Sequence, residues 1–111
     1  MGTMVPYGDL ASIAVVQLAL NPASVAANTT AEQDFTIPGD VRSTDLLLRF
    51  TKPTASAGLG IVNFRVKSAN TVAVTFSNNT GSPIDAGSET YTLVFGRPAS
   101  PGSLPAVVAF A

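Results

Sequence analysis

Residues 60–76, GIVNFRVKSANTVAVTF, form two alternating runs around a polar turn. In the first run Val62, Phe64 and Val66 fall on one side, and Asn63, Arg65 and Lys67 on the other. In the second, Val72, Val74 and Phe76 oppose Thr71, Ala73 and Thr75. A strand points successive side chains to opposite faces. Strict period two in β-branched and aromatic residues therefore predicts a half-buried antiparallel pair. Ser68-Ala69-Asn70 is the connection, a length that suits a hairpin. The pattern predicts an inner face of Val62, Phe64, Val66, Val72, Val74 and Phe76. It predicts an outer face that is small and mildly basic, suited to a contact between subunits.

Outward from the hairpin the same period recurs. Toward the C-terminus, Glu89–Phe95 reads as a strand with Tyr91, Leu93 and Phe95 inward and Thr90, Thr92 and Val94 outward. Toward the N-terminus, Asp45–Phe50 reads with Leu46, Leu48 and Phe50 on one face and Leu47 and Arg49 on the other. Glu32–Ile37 has Phe35 and Ile37 inward, and Ser24–Ala27 is a further short candidate. Pro38-Gly39-Asp40 is a turn, because Pro fixes φ and Gly accepts positive φ. Residues 51–59, TKPTASAGL, and 77–88, SNNTGSPIDAGS, are loops. Ser12–Leu20 is apolar on both faces, as in a strand buried on two sides or covered by a neighbouring subunit. A helix is its rival, since Ala, Leu and Gln favour one, and Asn21-Pro22 stops either. Phe35, Phe50, Phe64, Phe76, Tyr91 and Phe95 are expected to supply much of the core.

Short strands with turn signals at regular spacing predict a single all-β domain: an antiparallel β-sandwich, jelly-roll or Ig-like, of seven or eight strands. Residues 1–20 read as an N-terminal arm and first strand, 21–97 as the sandwich body, and 98–111 as a Pro-rich tail. The tail ends in AVVAFA (106–111). It reads either as a last strand on the chain's own body or as one offered to another sheet edge.

Composition narrows the chemistry. Within 111 residues there is room for one core. Charged residues are 12% and apolar residues 46% of the chain, so little surface charge is left to oppose association. Some surface covered by partners is the expectation, and a monomer made polar by Ser, Thr and Asn is the alternative. The six cations are spread along the chain, without the basic stripe that phosphate binding uses. The run 11–20 is shorter than a bilayer span, and no positive segment precedes it as in a secretory signal.

Histidine and cysteine are both absent. The commonest general base, the usual triad partner and the usual zinc ligands are missing with them. The close carboxylate pairs, Asp40 with Asp45 and Asp85 with Glu89, flank turns, where Asp commonly caps backbone groups. Catalytic use as a pair, or calcium in the Asp85 loop, is the alternative. No catalytic, cofactor-binding or metal-binding residue is assigned, no cofactor is expected, and the chain does not read as an enzyme. Gly58-Leu59-Gly60 has no P-loop lysine after it and reads as a loop entering a strand. Asn28-Thr29-Thr30 and Asn78-Asn79-Thr80 match the glycosylation sequon but sit in Asn- and Thr-rich turns.

The stretches NPASVAANTTAEQDFTIPG (21–39), GLGIVNFRVKSANTVAVTFSNNTG (58–81) and SETYTLVFGR (88–97) together resemble small all-β structural proteins of tailed bacteriophage virions. These are capsid decoration (cement) proteins and head-fibre bases, with tail components among them. The resemblance implies a non-enzymatic protein on the outer capsid surface of the virion. Its partner would be the major capsid protein, bound across capsomer junctions, and it would self-associate as a homotrimer. A tail, fibre or host-recognition component is the alternative. The resemblance carries no individual functional residue, because such proteins act through surfaces.

Overall fold

The computed structural model describes residues 10–99 and 106–107. They form six strands: β1 (Leu10–Leu20), β2 (Thr29–Thr36), β3 (Leu46–Thr51), β4 (Leu59–Ser68), β5 (Thr71–Asn78) and β6 (Glu89–Pro98). These make two antiparallel sheets of three strands, in the orders β1-β6-β3 and β2-β5-β4. Only the β4–β5 hairpin joins neighbours within a sheet; every other connection crosses to the opposite sheet.

The central strands carry the middle of the core. Val72, Val74 and Phe76 of β5 and Tyr91 and Leu93 of β6 are fully buried, with Phe95 beside them. Phe50 of β3 is the junction. Its ring lies 5.1 Å from Tyr91, 6.2 Å from Phe35 and 6.4 Å from Phe64, so rings from both sheets meet there. All six expected core aromatics lie in or against this cluster. Such tilted ring contacts add to what burial of their area contributes.

The alternation holds on β2, β5 and β6 and fails on β3 and β4. In β4 the register slips between Ile61 and Asn63, so Ile61 packs inward and Val62 is 61% exposed. In β3 a slip between Leu47 and Arg49 turns Leu47 and Phe50 inward and leaves Leu46 and Leu48 exposed. Each reverses the expected face only before the slip; Phe64 and Val66 on β4 and Phe50 on β3 pack inward as expected. The cause is the β-bulge, where one extra residue on a strand opposes one on its partner and flips the phase beyond it.

Six strands are present among the described residues, where seven or eight were expected. Ser24–Ala27 is reduced to one bridge, Val25 to Ile84. Of the C-terminal run, Ala106 and Val107 form an exposed bend. The rest of 106–111, and the arm expected over residues 1–9, lie outside the described residues. The first strand starts at Leu10, two residues before its expected start, and is a full member of the β1-β6-β3 sheet.

The hairpin turn is fastened to the rest of the fold. Asn70 adopts φ 57°, a left-handed conformation that asparagine tolerates better than most residues. Its side-chain amide donates to the carbonyls of Ile37 and Gly39, each at 2.8 Å. Its backbone accepts from Ile37 N–H at 2.8 Å and donates to Val41 O at 2.9 Å. One turn residue thus holds the segment that leaves β2.

Candidate interaction surface

The two sheets present different outer faces. On β2-β5-β4, Glu32 and Asp34 of one edge strand reach toward Arg65 and Lys67 of the other. Arg65 Nε and Nη2 each donate to a Glu32 oxygen at 3.0 Å, and Lys67 Nζ donates to Asp34 at 2.7 Å. The strand between them contributes Ala73, paired with both Asp34 and Arg65. Ala73 points away from the core yet is 0% exposed, because the ion pairs roof it over. A small residue there lets long side chains meet across a strand. The Arg65 guanidinium holds the Glu32 carboxyl below the usual carboxylate range. The mildly basic surface expected for the hairpin is therefore a neutral, ion-paired one. Its acids come from β2, remote in sequence.

On β1-β6-β3 the outer face is apolar around Gly96 and polar but nearly uncharged toward Gln17 and Thr92. Gly96 of β6 pairs with Ile13 on one side and Leu46 on the other. A Cβ at Gly96 would lie 3.0 Å from a Leu48 methyl and 3.2 Å from a Leu10 methyl, so both leucines lean over this glycine. One step along, Val15 pairs with Val94. Ile13 is 56% exposed, Val15 67%, Leu48 44% and Leu46 38%. Arg49 is the one charged residue here, and its Nε donates to Thr51 Oγ1 at 3.1 Å. A contiguous patch of this kind marks an interaction site more often than single exposed leucines do.

The two-sided apolarity of β1 is legible in the sequence. Leu46 and Leu48 are not, because the bulge that turns them outward leaves no local signal. Gly96 also escapes a sequence reading: its use is to make room for two leucines from other strands.

The acidic residues of the two close pairs are already engaged. Asp45 is buried and receives a two-pronged hydrogen bond from Arg97, Nε to Oδ1 at 2.9 Å and Nη2 to Oδ2 at 2.8 Å. It also accepts from Arg42 N–H at 2.9 Å. Arg97 and then the Arg42 amide hold the Asp45 carboxyl below its usual range against the cost of burial. Asp40 is exposed, and Arg97 also donates to its backbone carbonyl at 2.7 Å. Glu89 pairs with Lys52 at 2.6 Å and accepts from Thr54, and both lower its pKa. Asp85 accepts from Gly87 N–H at 3.0 Å in a turn of its own. Asp40 and Asp45 meet at Arg97, which neutralises them, while Asp85 and Glu89 are engaged separately, and no group of acids suited to a metal ion occurs among the described residues.

A groove of about 260 Å³ opens between β1 and the segment after β2, lined by Ala14, Val16, Ile37, Val41 and Phe95, with Arg97 at its rim. Asp45 and Asp40 already occupy that guanidinium, so the groove offers no free charge to a ligand. The second sequon asparagine, Asn78, is 2% exposed. Its amide bonds Val25 O and Ser82 O, and its oxygen accepts from Thr80. Asn28 takes φ 51° at the turn into β2.

Comparison of the chain with protein-family models, with curated proteins and with solved structures finds no match.

Proposed function

We propose that this chain is a non-enzymatic structural protein of a phage virion, which decorates or cements the capsid by binding across capsomer junctions of the assembled shell. The observation that carries the reading is the contrast between the two outer faces. One is finished for water by ion pairs; the other is apolar around Gly96 and almost uncharged. A protein that lies on a larger surface needs that asymmetry. The resemblance of residues 21–97 to virion structural proteins supplies the kind of surface, the major capsid protein, and the place, the outside of the shell.

In the same reading the two sheets are the layers of a single β-sandwich wound as a jelly roll. β1 pairs with β6 in one layer, β2 pairs with β5 in the other, and the chain alternates between layers up to the hairpin. An Ig-like order would place the first two strands side by side in one sheet. A jelly roll nests its strand pairs across two sheets, and the observed pairing supports that reading.

The mechanism is linkage. A protein that binds the assembled shell but not free subunits stabilises the shell by about 2.7 kcal/mol per site at a hundredfold excess over Kd. Co-sedimentation with empty shells, set against binding to unassembled capsid protein, tests this. Binding to shells alone is the expected result, and equal binding to both, or to neither, overturns it. Imaging of virions that placed every copy at the tail or neck would replace it with the tail-component reading. That reading draws little support from the loops 51–59 and 77–88, which carry no aromatic side chain.

A further inference from the structure

The sheets have four edge strands, and three carry their own defence. β2 presents Glu32 and Asp34, and β4 presents Arg65 and Lys67 together with two irregularities. β3 carries a bulge and Arg49 and runs into Lys52. Charges, bulges and short length are the usual means of stopping one edge from pairing with another. β1 has none of them over most of its length. It is an 11-residue strand, LASIAVVQLAL, with no charge and no proline, and its one irregularity lies at its start, between Leu10 and Ser12. Among the described residues it pairs with β6 on one side only.

We propose that β1 pairs with β1 of a second copy of this chain, antiparallel about a two-fold axis at Val15. The strands would then run β3-β6-β1 in one copy and continue as β1-β6-β3 in the next, as one six-stranded sheet. The register follows from the centre of the strand: Val15 faces Val15, Ile13 faces Gln17 and Ala11 faces Ala19. On the inner side Ala14 faces Val16 and Ser12 faces Leu18. Every facing pair is uncharged.

Charge selects this occupant. The same pairing at β2 would set carboxylates against carboxylates, and at β4 cations against cations, where like charges directly opposite destabilise. β1 is the edge that can meet its own copy without that cost. A strongly charged partner finds nothing on β1 to pair with. The resemblance implied a trimer; the edge makes the natural unit a pair, the commonest closed symmetry.

The geometry has a consequence for surface area. A two-fold perpendicular to the sheet puts both apolar outer faces on the same side. Ile13, Val15, Leu46 and Leu48 leave roughly 400 Å² open per copy, the size of the largest patch on an ordinary monomer. Two such patches side by side approach the ~800 Å² that one partner contributes to a stable interface. Pairing thus joins two small patches into one on the same side of a continuous sheet.

The test uses the full chain alone, so it is independent of any shell. Sedimentation equilibrium is expected to return twice the chain mass, and Val15→Lys, which places two lysines together on the axis, to halve it. Val62 is the matched control, since it is 61% exposed on the other sheet. Val62→Lys is expected to remain a pair. The chain has no cysteine, so Val15→Cys provides a clean distance probe. Facing Cβ atoms at the axis lie within reach of a disulfide, and oxidation is expected to give a covalent dimer from Val15→Cys and none from Val62→Cys. A monomer, a trimer, or a dimer that Val15→Lys leaves intact would each overturn the pairing. None of these outcomes decides whether the protein binds shells.

Discussion

Asn70 offers the sharpest test of how the hairpin is tied to the rest of the fold. The residue makes two kinds of contribution. Its left-handed backbone costs an alanine about 1 kcal/mol more than an asparagine or glycine. Its side chain makes two hydrogen bonds, to Ile37 O and Gly39 O, each contributing about 1 kcal/mol net. Asn70→Gly keeps the backbone and loses the two bonds, so its expected cost is about 2 kcal/mol. Asn70→Ala loses both contributions, for about 3 kcal/mol. The backbone bonds to Ile37 and Val41 survive in either variant. Urea unfolding followed by circular dichroism reads both costs as shifts in midpoint at constant slope. At this chain length 1 kcal/mol moves Tm by about 4 °C, so the two variants separate in a thermal scan as well. Equal stability of the Ala and Gly variants would refute the backbone part. A Gly variant as stable as the parent would refute the clamp itself.

Three further outcomes follow from other parts of the molecule. Tyr91→Phe is expected to raise stability by about 1 kcal/mol, because the Tyr91 hydroxyl is buried without a hydrogen-bond partner among the described residues; urea titration that showed a loss would mean the hydroxyl is satisfied. Ala73→Leu is expected to prise apart the Arg65–Glu32 and Lys67–Asp34 pairs that cover it, lowering Tm and making backbone amides on β5 exchange faster with solvent; an unchanged exchange pattern would count against the roof. The Asp45 carboxyl is held below its ordinary value of 3.8, so it stabilises the fold above that value and loses this contribution as pH falls through the depressed one. Asp45→Asn is therefore expected to be less stable at neutral pH and to show a shallower acid loss, with Glu32 and Glu89 keeping part of the slope, and parallel curves for the two proteins would contradict it.

Legibility from sequence followed the distance over which each feature is specified. Tyr91, Leu93 and Phe95 alternate with threonines and valine, and nothing outside β6 alters that phase. The same is true of Val72, Val74 and Phe76. Val62 and Leu48 defeated the same rule because a bulge is a property of a strand pair: the extra residue exists only relative to its partner. The hairpin's outer face looked basic because Arg65 and Lys67 are local, whereas Glu32 and Asp34 arrive from another strand. Val25 bridges only Ile84, so a short apolar run there promised more strand than one contact can hold. The candidate surface was half visible. Ile13 and Val15 stand out in a run apolar on both faces, and their companions Leu46 and Leu48 reach it through a bulge and across a glycine.

A chain with so few charges has spent them on itself. Arg65, Lys67, Lys52 and Arg97 each hold an acid, and Arg42 lies 4.0 Å from Asp40. Of the six cations, Arg49 alone lacks an acid within that reach among the described residues, and it sits on the apolar face. The exposed pairs among them, Arg65–Glu32, Lys67–Asp34 and Arg42–Asp40, add little to stability, typically under about 1 kcal/mol each. Their larger effect is on the field around the molecule. Pairwise neutralisation leaves almost no long-range repulsion between copies. The bare edge of β1 and the leucines around Gly96 are what remains. The proposed pairing rests on that pattern: an uncharged strand edge can meet its own copy where the charged edges of β2 and β4 meet like charges.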